Sequence, residues 1–515
     1  MNSPLLMGID AGSSRVRALI FTPEGLLQAQ GSAAPEIQSP RPGWATMRSE
    51  DLWECCVQAI REAAAQIDDP KRIRSVAVAS VAEAAVPLDA HGNATYPIIA
   101  WYDGRTTPQA LWLKEHVGAE RLFEITGLNA NPIFGLCKQM WLRDHEPEVF
   151  RSTVSWLNTA DFLAWKLCGT PATDYSLASR TLALSLHTLE YADDLLREVQ
   201  IPRTWYQPLV ASGTALGALL PEVARQTGLP PDCQVAAGGH DHFVGALIAG
   251  GLVPGTLMNS MGTAEAVTLF TETPVIRQGL AQSGYVQGVL MADRPYYYLL
   301  GGLFTSGASV QWFHELTEHR YSHEHLIQEA GSVSPGSDGV LFLPHLRVGA
   351  PPNPVEVSRG AFLGLGTGAR HPTLYRAILE GMACDVRLIA EGLLHASEAL
   401  QVHEVRCFGG ESQNRLLMQI KASVLNRRLT RLEMTEAVSL GAALFGGIGA
   451  DLFAHLPEAL EGLSFASEEI LPVPEWAAYY ERHYQDVYAK AWAQIWPLQQ
   501  RILEVQSHSE RPPGP

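Results

Sequence analysis

An aspartate set between two histidines directly after a glycine pair, Gly238-Gly239-His240-Asp241-His242, is the most unusual segment of the sequence. Small and apolar residues follow (Phe243, Val244, Gly245, Ala246), so Asp241 stands where a strand hands over to a helix. A carboxylate so placed can take a proton from a substrate hydroxyl, the general-base step of phosphoryl transfer to an alcohol. Helix capping alone also favours Asp at such a junction, so both readings stand at this point. His240 and His242 could serve a metal with Asp241, but the sequence places no further ligand cluster beside them.

A second chemical element is Asp10-Ala11-Gly12-Ser13-Ser14, which follows the apolar run Leu5 to Ile9. Backbone N–H groups and hydroxyls in such a turn can face phosphate oxygens, with the carboxylate alongside. The same residues also make an ordinary hairpin turn. A related turn recurs at Gly262-Thr263, and Gly409-Gly410, between an apolar strand and a helix, offers a third place where a ligand could lie against the backbone. Two turns of this kind could grip one polyphosphate from both sides.

The elements that must position these residues follow from periodicity. Leu5 to Ile9 and Val16, Ala18, Ile20 read as two strands around the first turn, and Thr256 to Thr263 leading into Ala266 to Phe270 repeats the pattern, which implies two related halves. Ser49 to Ile67, Pro108 to Val117, Asp161 to Leu167, Pro372 to Leu394 and Asn414 to Leu425 have helical spacing. Ser75 to Leu88 and Val405 to Phe408 read as strands, so the class is α/β. The Gly/Pro-rich segment Ala249 to Gly255 is the best boundary, giving residues 1–253, 254–480, and a C-terminal helix and flexible tail over 481–515.

Composition narrows the partners. With 37 Lys plus Arg against 54 Asp plus Glu in 515 residues, the net charge of −17 and the lack of a basic stripe exclude nucleic acid as an expected partner. The seven cysteines are scattered without C-x-x-C spacing and read as reduced thiols. No basic leader opens the chain, and the longest uncharged stretch, Phe243 to Ala264, is broken by glycines and a proline, so neither export nor a membrane span is expected and the expected location is the cytoplasm.

Taken in order, the motifs resemble the FGGY family of carbohydrate kinases. They are Gly8-Ile9-Asp10-Ala11-Gly12-Ser13-Ser14-Arg15-Val16-Arg17, Trp101-Tyr102-Asp103-Gly104-Arg105, Thr173-Asp174-Tyr175-Ser176-Leu177-Ala178-Ser179-Arg180 and Gly239-His240-Asp241. Ser260-Met261-Gly262-Thr263, Ser306 to Trp312, Gly360 to Leu365, Gly409 to Asn414 and Glu436 to Ala443 complete the set, which spans nearly the whole chain. The resemblance implies two ribonuclease H-like (actin-like ATPase) domains facing each other across a nucleotide and sugar cleft. It implies ATP and Mg²⁺, with Asp10 orienting the metal and Gly12, Ser13, Ser14 and Arg17 near the phosphates. Gly262 and Thr263 would form the opposing turn, Gly307 and Gln311 would line the nucleotide cleft, and Gly410 and Asn414 would lie at the adenosine end. Asp241 matches the family's catalytic base, and members commonly form homodimers.

For the acceptor, the resemblance points to Glu83, an acidic residue at the place where glycerol kinases bind hydroxyls, with Asp103, Arg105 and His242 as further polar contacts and Trp101 as an apolar wall. Three of these have a plainer alternative: a strand-end surface carboxylate for Glu83, a core ring for Trp101 and a structural histidine for His242. The Gln-Met-His-Gly run of xylulokinases is replaced here by Val81-Ala82-Glu83-Ala84-Ala85, and the Arg that precedes Glu in glycerol kinases is Ala82. The expected function is transfer of the ATP γ-phosphate to a hydroxyl of a small sugar, ketose or polyol. The rival is a catalytically silent, chaperone-like or actin-like ATPase that closes the same nucleotide clamp without an acceptor.

Overall fold

The computed structural model describes residues 3–251, 255–277, 279–355, 357–397, 402–434, 436–463 and 465–509. The expected boundary at Val253 and Pro254 and the tail from residue 510 lie outside the described residues.

All seven residues of β1 (Leu5–Ala11) are buried, as a near-continuous apolar run requires when both faces of a sheet are covered. β1 pairs antiparallel with β2 (Val16–Phe21), and β2 pairs antiparallel with β3 (Leu27–Ala33). On its other side β1 runs parallel to β4 (Ile73–Ser80). The edge strand β5 (Ala215–Ala218) pairs antiparallel with β6 (Gln234–His240), which runs parallel to β4, so the sheet order is β5-β6-β4-β1-β2-β3. The second sheet comprises β7 (Thr256–Met261), β8 (Glu265–Thr271), β9 (Val286–Met291), β10 (Pro295–Leu303), β11 (Glu404–Phe408), β12 (Leu429–Leu432) and β13 (Ser467–Ile470), in the order β9-β10-β8-β7-β11-β12-β13.

The two sheets share a core strand order. In each, three antiparallel strands (β1, β2, β3; β7, β8, β10) are extended by two parallel strands (β4, β6; β11, β12) and an antiparallel edge strand (β5; β13). The second sheet adds β9 beyond β10 and, along the chain, reaches its edge strand after the parallel pair rather than between them. The duplication read from the two hairpins therefore extends over both halves. Ser75 to Leu88, read as one strand, is two: β4 ends at Ser80, and Ala85–Leu88 pairs instead with Ser155–Asn158 in a small separate sheet. The break falls at Val81–Ala84, where the carbonyl of Glu83 accepts a hydrogen bond from Lys138 Nζ.

Three helices matter for the site. α1 (Asp241–Ala246) follows β6 directly, α2 (Arg415–Leu425) follows the Gly409-Gly410 turn, and α3 (Ala437–Gly449), which comes from the second half of the sequence, lies across β1, β4 and β6 of the first sheet. Gly8 makes that crossing possible, because a Cβ there would stand 1.7 Å from the Ser439 carbonyl oxygen. Backbone cannot yield as a side-chain end can, so Gly8→Ala must lift α3 off β1. A fall in the thermal unfolding midpoint together with lost activity is expected, checked by calorimetry and turnover on one preparation.

The C-terminal helical run begins at Pro474, earlier than expected, and continues to Ser509. Its tyrosines dock on the long helix His371–Ser397: Tyr480 donates to Glu380 (2.6 Å), Tyr484 to Glu391 (2.8 Å) and Tyr488 to Asp385 (2.9 Å), four-residue steps that keep one face inward. Among the described residues, no helix is long and apolar enough to cross a membrane.

Candidate active site

Asp10 lies near the end of β1 and Arg17 faces it in the hairpin register. Between them the chain turns tightly, with Gly12 N–H donating to the Arg15 carbonyl at 3.0 Å. Arg17 Nη2 donates to Asp10 Oδ2 at 2.9 Å, and Nη1 donates to Glu436 Oε2 at 3.0 Å. The guanidinium thus joins the first turn to the residue leading into α3 and pairs with two carboxylates while staying partly open to solvent. Burial raises the Asp10 pKa, with the Arg17 charge opposing. Asp10 Oδ1 accepts no hydrogen bond from the described residues.

Asp241 is the first residue of α1, and α1 is clamped between the halves. Phe243 stacks on Tyr298 of β10 with ring centroids 3.5 Å apart, and Gly441 of α3 approaches Val244. The capping alternative is not what the geometry shows. The N-cap position is His240, whose side chain makes no capping bond, and among the described residues Asp241 Oδ1 accepts a hydrogen bond only from the adjacent His242 N–H (2.6 Å), with His240 Nε2 at 3.3 Å. Burial pushes the Asp241 pKa up to about 6. His242 opposes the rise, and the negative charges of Asp10 and Glu83 add to it. Those influences place Asp241, Asp10, Glu83 and His242 in one electrostatic neighbourhood. His240 is buried and its pKa is driven well below the usual value by burial, so it stays neutral, and its backbone N–H is held by Ser176 Oγ at 2.8 Å.

Glu83 is buried, not a surface carboxylate. Arg180 donates through Nε to Glu83 Oε1 at 2.7 Å, with Nη2 also 2.7 Å from that oxygen, and Oε2 accepts no hydrogen bond from the described residues. Lys138 fixes the backbone beneath, donating to the carbonyls of Glu83, Ile99 (3.1 Å) and Ala100 (3.2 Å). Burial lowers the Lys138 pKa to about 8, with Glu83 and Asp103 countering. Sequence reading gave no role to Lys138 or Arg180. The available signals were a lone lysine among Leu136, Cys137, Met140 and Trp141 on a helix, and an arginine ending a motif already singled out.

Trp101 is half-buried and donates from its indole N–H to Ser13 Oγ at 3.3 Å, so the predicted apolar wall touches the first turn. The structure places Asp103 and Arg105 differently from the expectation of hydroxyl contacts. Asp103 accepts from Arg105 Nε and Nη2, from the Arg105 N–H and from the Ala45 N–H, at 2.6–2.9 Å. The guanidinium also lies 3.8 Å over the Trp44 ring, so the pair is sealed on itself and supports the loop that presents Trp101.

In the second half, the Gly262 and Thr263 carbonyls accept from the N–H groups of Gly307 (3.2 Å) and Ala308 (3.0 Å), which ties the second turn to the start of the helix Gly307–Leu316. A Cβ on Gly307 would stand 2.6 Å from the Gly262 carbonyl, and one on Gly409, at φ 101°, would stand 2.4 Å from that of Met261. Beneath the turn, Lys421 is fully buried against Glu265 and donates to Asn259 Oδ1 at 3.1 Å, while Ser306 Oγ donates to Glu265 Oε2 at 2.6 Å. Glu411 packs against Gly307, and burial raises its pKa. Gly410 is exposed with open space around it, Asn414 caps α2 by accepting the Leu417 N–H (3.1 Å), and Gln311 is exposed and bonds Glu315 (3.0 Å).

Comparison with known proteins is consistent from end to end. Models of the N-terminal and C-terminal domains of the FGGY family of carbohydrate kinases match residues 5–248 and 257–450. A xylulose kinase of Bacillus subtilis is 29% identical over 457 residues, covering 88% of this chain and 90% of that protein. A glycerol kinase of Thermococcus kodakarensis is 28% identical over 467 residues, with 88% and 90% covered. The crystal structure of xylulose kinase from Rhodospirillum rubrum superposes with a TM-score of 0.87 at 25% identity, covering 96% of this chain and 100% of that one. Glycerol kinase from Plasmodium falciparum with ADP gives 0.86 at 18% identity, covering 95% and 98%, and shares the fold.

Proposed function

This chain belongs to the FGGY family of carbohydrate kinases and is an ATP-dependent sugar or polyol kinase, and on that premise we propose that Asp241 is its general base and Glu83 its principal acceptor-binding carboxylate. The observation that carries the proposal is a half-buried, sparsely hydrogen-bonded Asp241 carboxylate in the electrostatic neighbourhood of Asp10 and Glu83, at the junction of the halves.

With a pKa near 6, Asp241 is ionised at neutral pH yet more basic than an ordinary aspartate, so it can accept the hydroxyl proton as the oxygen attacks phosphorus. Neutral His240 adds no positive charge beside it and so leaves that basicity intact. Glu83 Oε2 accepts from acceptor hydroxyls while Arg180 locks its other oxygen, and Trp101 lies along the carbon skeleton. The turn at Gly12-Ser13-Ser14 and the one at Gly262-Thr263 receive the phosphates of ATP from the two halves. The donor set fits Mg²⁺: the buried Asp10 carboxylate keeps one oxygen free for the ion or its water. Bound there, the ion would neutralise charge on the phosphoryl oxygens.

The relatives named xylulose kinase and glycerol kinase frame the acceptor as a ketose or polyol with adjacent hydroxyls, one terminal. ADP release and sugar phosphate measured across pentuloses, hexuloses, aldoses and polyols test this. Stoichiometric product with at least one ketose or polyol is expected, and ADP release indifferent to every acceptor would refute it. The pH dependence gives a separate test. Protonating Asp241 removes the base, so kcat/KM should be flat above about pH 7 and fall roughly tenfold per unit below about 6. A profile level down to pH 5 would remove Asp241 from the role.

A further inference from the structure

Far along the sequence from Asp241, two segments of the second half bring ligand-type side chains to one point. His325 and Glu329 lie four residues apart on the helix His323–Gly331, hence on one face, and His371 opens the helix His371–Ser397. Both imidazoles aim at the same oxygen: His371 Nε2 is 2.5 Å and His325 Nε2 3.4 Å from Glu329 Oε2. The three ligand atoms lie within 4.8 Å of one another, and no other such group of His, Cys, Asp or Glu occurs among the described residues. Tyr321 stacks on both rings, at 4.1 Å for His371 and 5.5 Å for His325, each 12° from parallel, which holds the imidazoles in orientation.

We infer that His325, Glu329 and His371 form a site for a divalent transition cation of the zinc type, separate from the ion used in phosphoryl transfer. An ion with ligands at about 2.0–2.2 Å holds them roughly 3.0–3.5 Å apart, so the His325–Glu329 spacing already fits. The His371–Glu329 hydrogen bond occupies the position of the ion and opens slightly when the ion displaces its proton. Two imidazoles and one carboxylate select zinc, cobalt or nickel, whereas magnesium prefers oxygen ligands throughout. The remaining positions go to water. The neighbouring His314 does not compete as a ligand, because both its nitrogens are engaged, Nδ1 with His319 Nδ1 (2.9 Å) and Nε2 with the Tyr321 carbonyl (2.8 Å).

Such an ion would fasten the helix His323–Gly331 to the helix His371–Ser397, stabilising the second half without touching the chemistry. The test is calorimetric titration of the full chain, stripped with chelator and dialysed, with ZnCl₂ in millimolar MgCl₂, and with CoCl₂ followed by visible absorbance. One saturable site and a zinc-dependent rise in unfolding temperature are expected. Glu329→Gln and His371→Asn should each weaken binding on the order of tenfold or more, and His319→Ala should not. Activity with Mg-ATP in the absence of zinc should be equal in all of them. Equal zinc affinity in wild type and His371→Asn, or no saturable binding, would overturn the inference. Should His371→Asn fail to fold, His325→Ala, which alters an exposed side chain, carries the same test.

Discussion

Asp241→Ala is expected to lower kcat on the order of 10³-fold with ATP affinity unchanged, because the residue acts on the hydroxyl proton and not on the nucleotide. The stability of the same variant should move in the opposite direction. The folded carboxylate has its pKa raised to about 6, so the fold disfavours its charge relative to the unfolded chain. That penalty is fully present above about pH 6 and is relieved as pH falls toward the ordinary aspartate range. Removing the carboxylate at neutral pH should therefore leave the unfolding midpoint level or raised, the usual relation between a catalytic group and the fold that must bury it. Single-turnover kinetics and calorimetry on one sample check both halves. Lost activity with a lowered midpoint would mean that Asp241 is structural.

Lys421→Met carries the largest expected cost to stability. Lys421 and Glu265 are both fully buried, with Asn259 and Ser306 completing the network under the Gly262-Thr263 turn. Methionine fills the space but leaves the Glu265 carboxylate buried without its counter-charge, a change that typically costs about 3–5 kcal/mol. The unfolding midpoint should fall steeply. The KM for ATP should rise in whatever protein remains folded, since Ser306 immediately precedes the helix whose first N–H groups hold the turn. Adding Glu265→Gln to Lys421→Met should restore part of the loss by removing the orphaned charge. Denaturation curves of the two single variants and the double variant read this coupling, and additive losses would show that the pair does not act as a unit.

Much of this was legible in the chain. The two hairpins, each an apolar run, a small-residue turn and a second run, announced the duplication, and the structure extends it to the parallel and edge strands of both sheets. Asp241 stood out in the sequence as a carboxylate between imidazoles after two glycines, at a strand-to-helix junction that the structure shows at the start of α1. What remained hidden was pairing over long sequence separations. The apolar neighbours of Lys138 on its helix hint that it is not a surface lysine, but its three carbonyl partners, from Glu83, Ile99 and Ala100, come from distant segments and show only in the fold. Asp103 and Arg105 were expected as hydroxyl ligands, yet their separation by one residue lets them close on each other. The partnership of Arg17 with Glu436, from the other end of the chain, was likewise not legible. The split of Ser75 to Leu88 was invisible because Val81–Ala84 is as apolar and small as its flanks apart from Glu83.

The central claim is that the ATP γ-phosphate goes to a hydroxyl and that Asp241 enables the transfer. Phosphorus NMR of Mg-ATP with wild type and Asp241→Ala, with and without the best acceptor, follows that phosphate directly. The account predicts a phosphate ester matching ADP one for one in wild type, little free phosphate without acceptor, and almost no ester in the variant. Free phosphate released at the same rate with or without acceptor, and undiminished in Asp241→Ala, would contradict it and identify the chain as an ATPase that does not use a sugar.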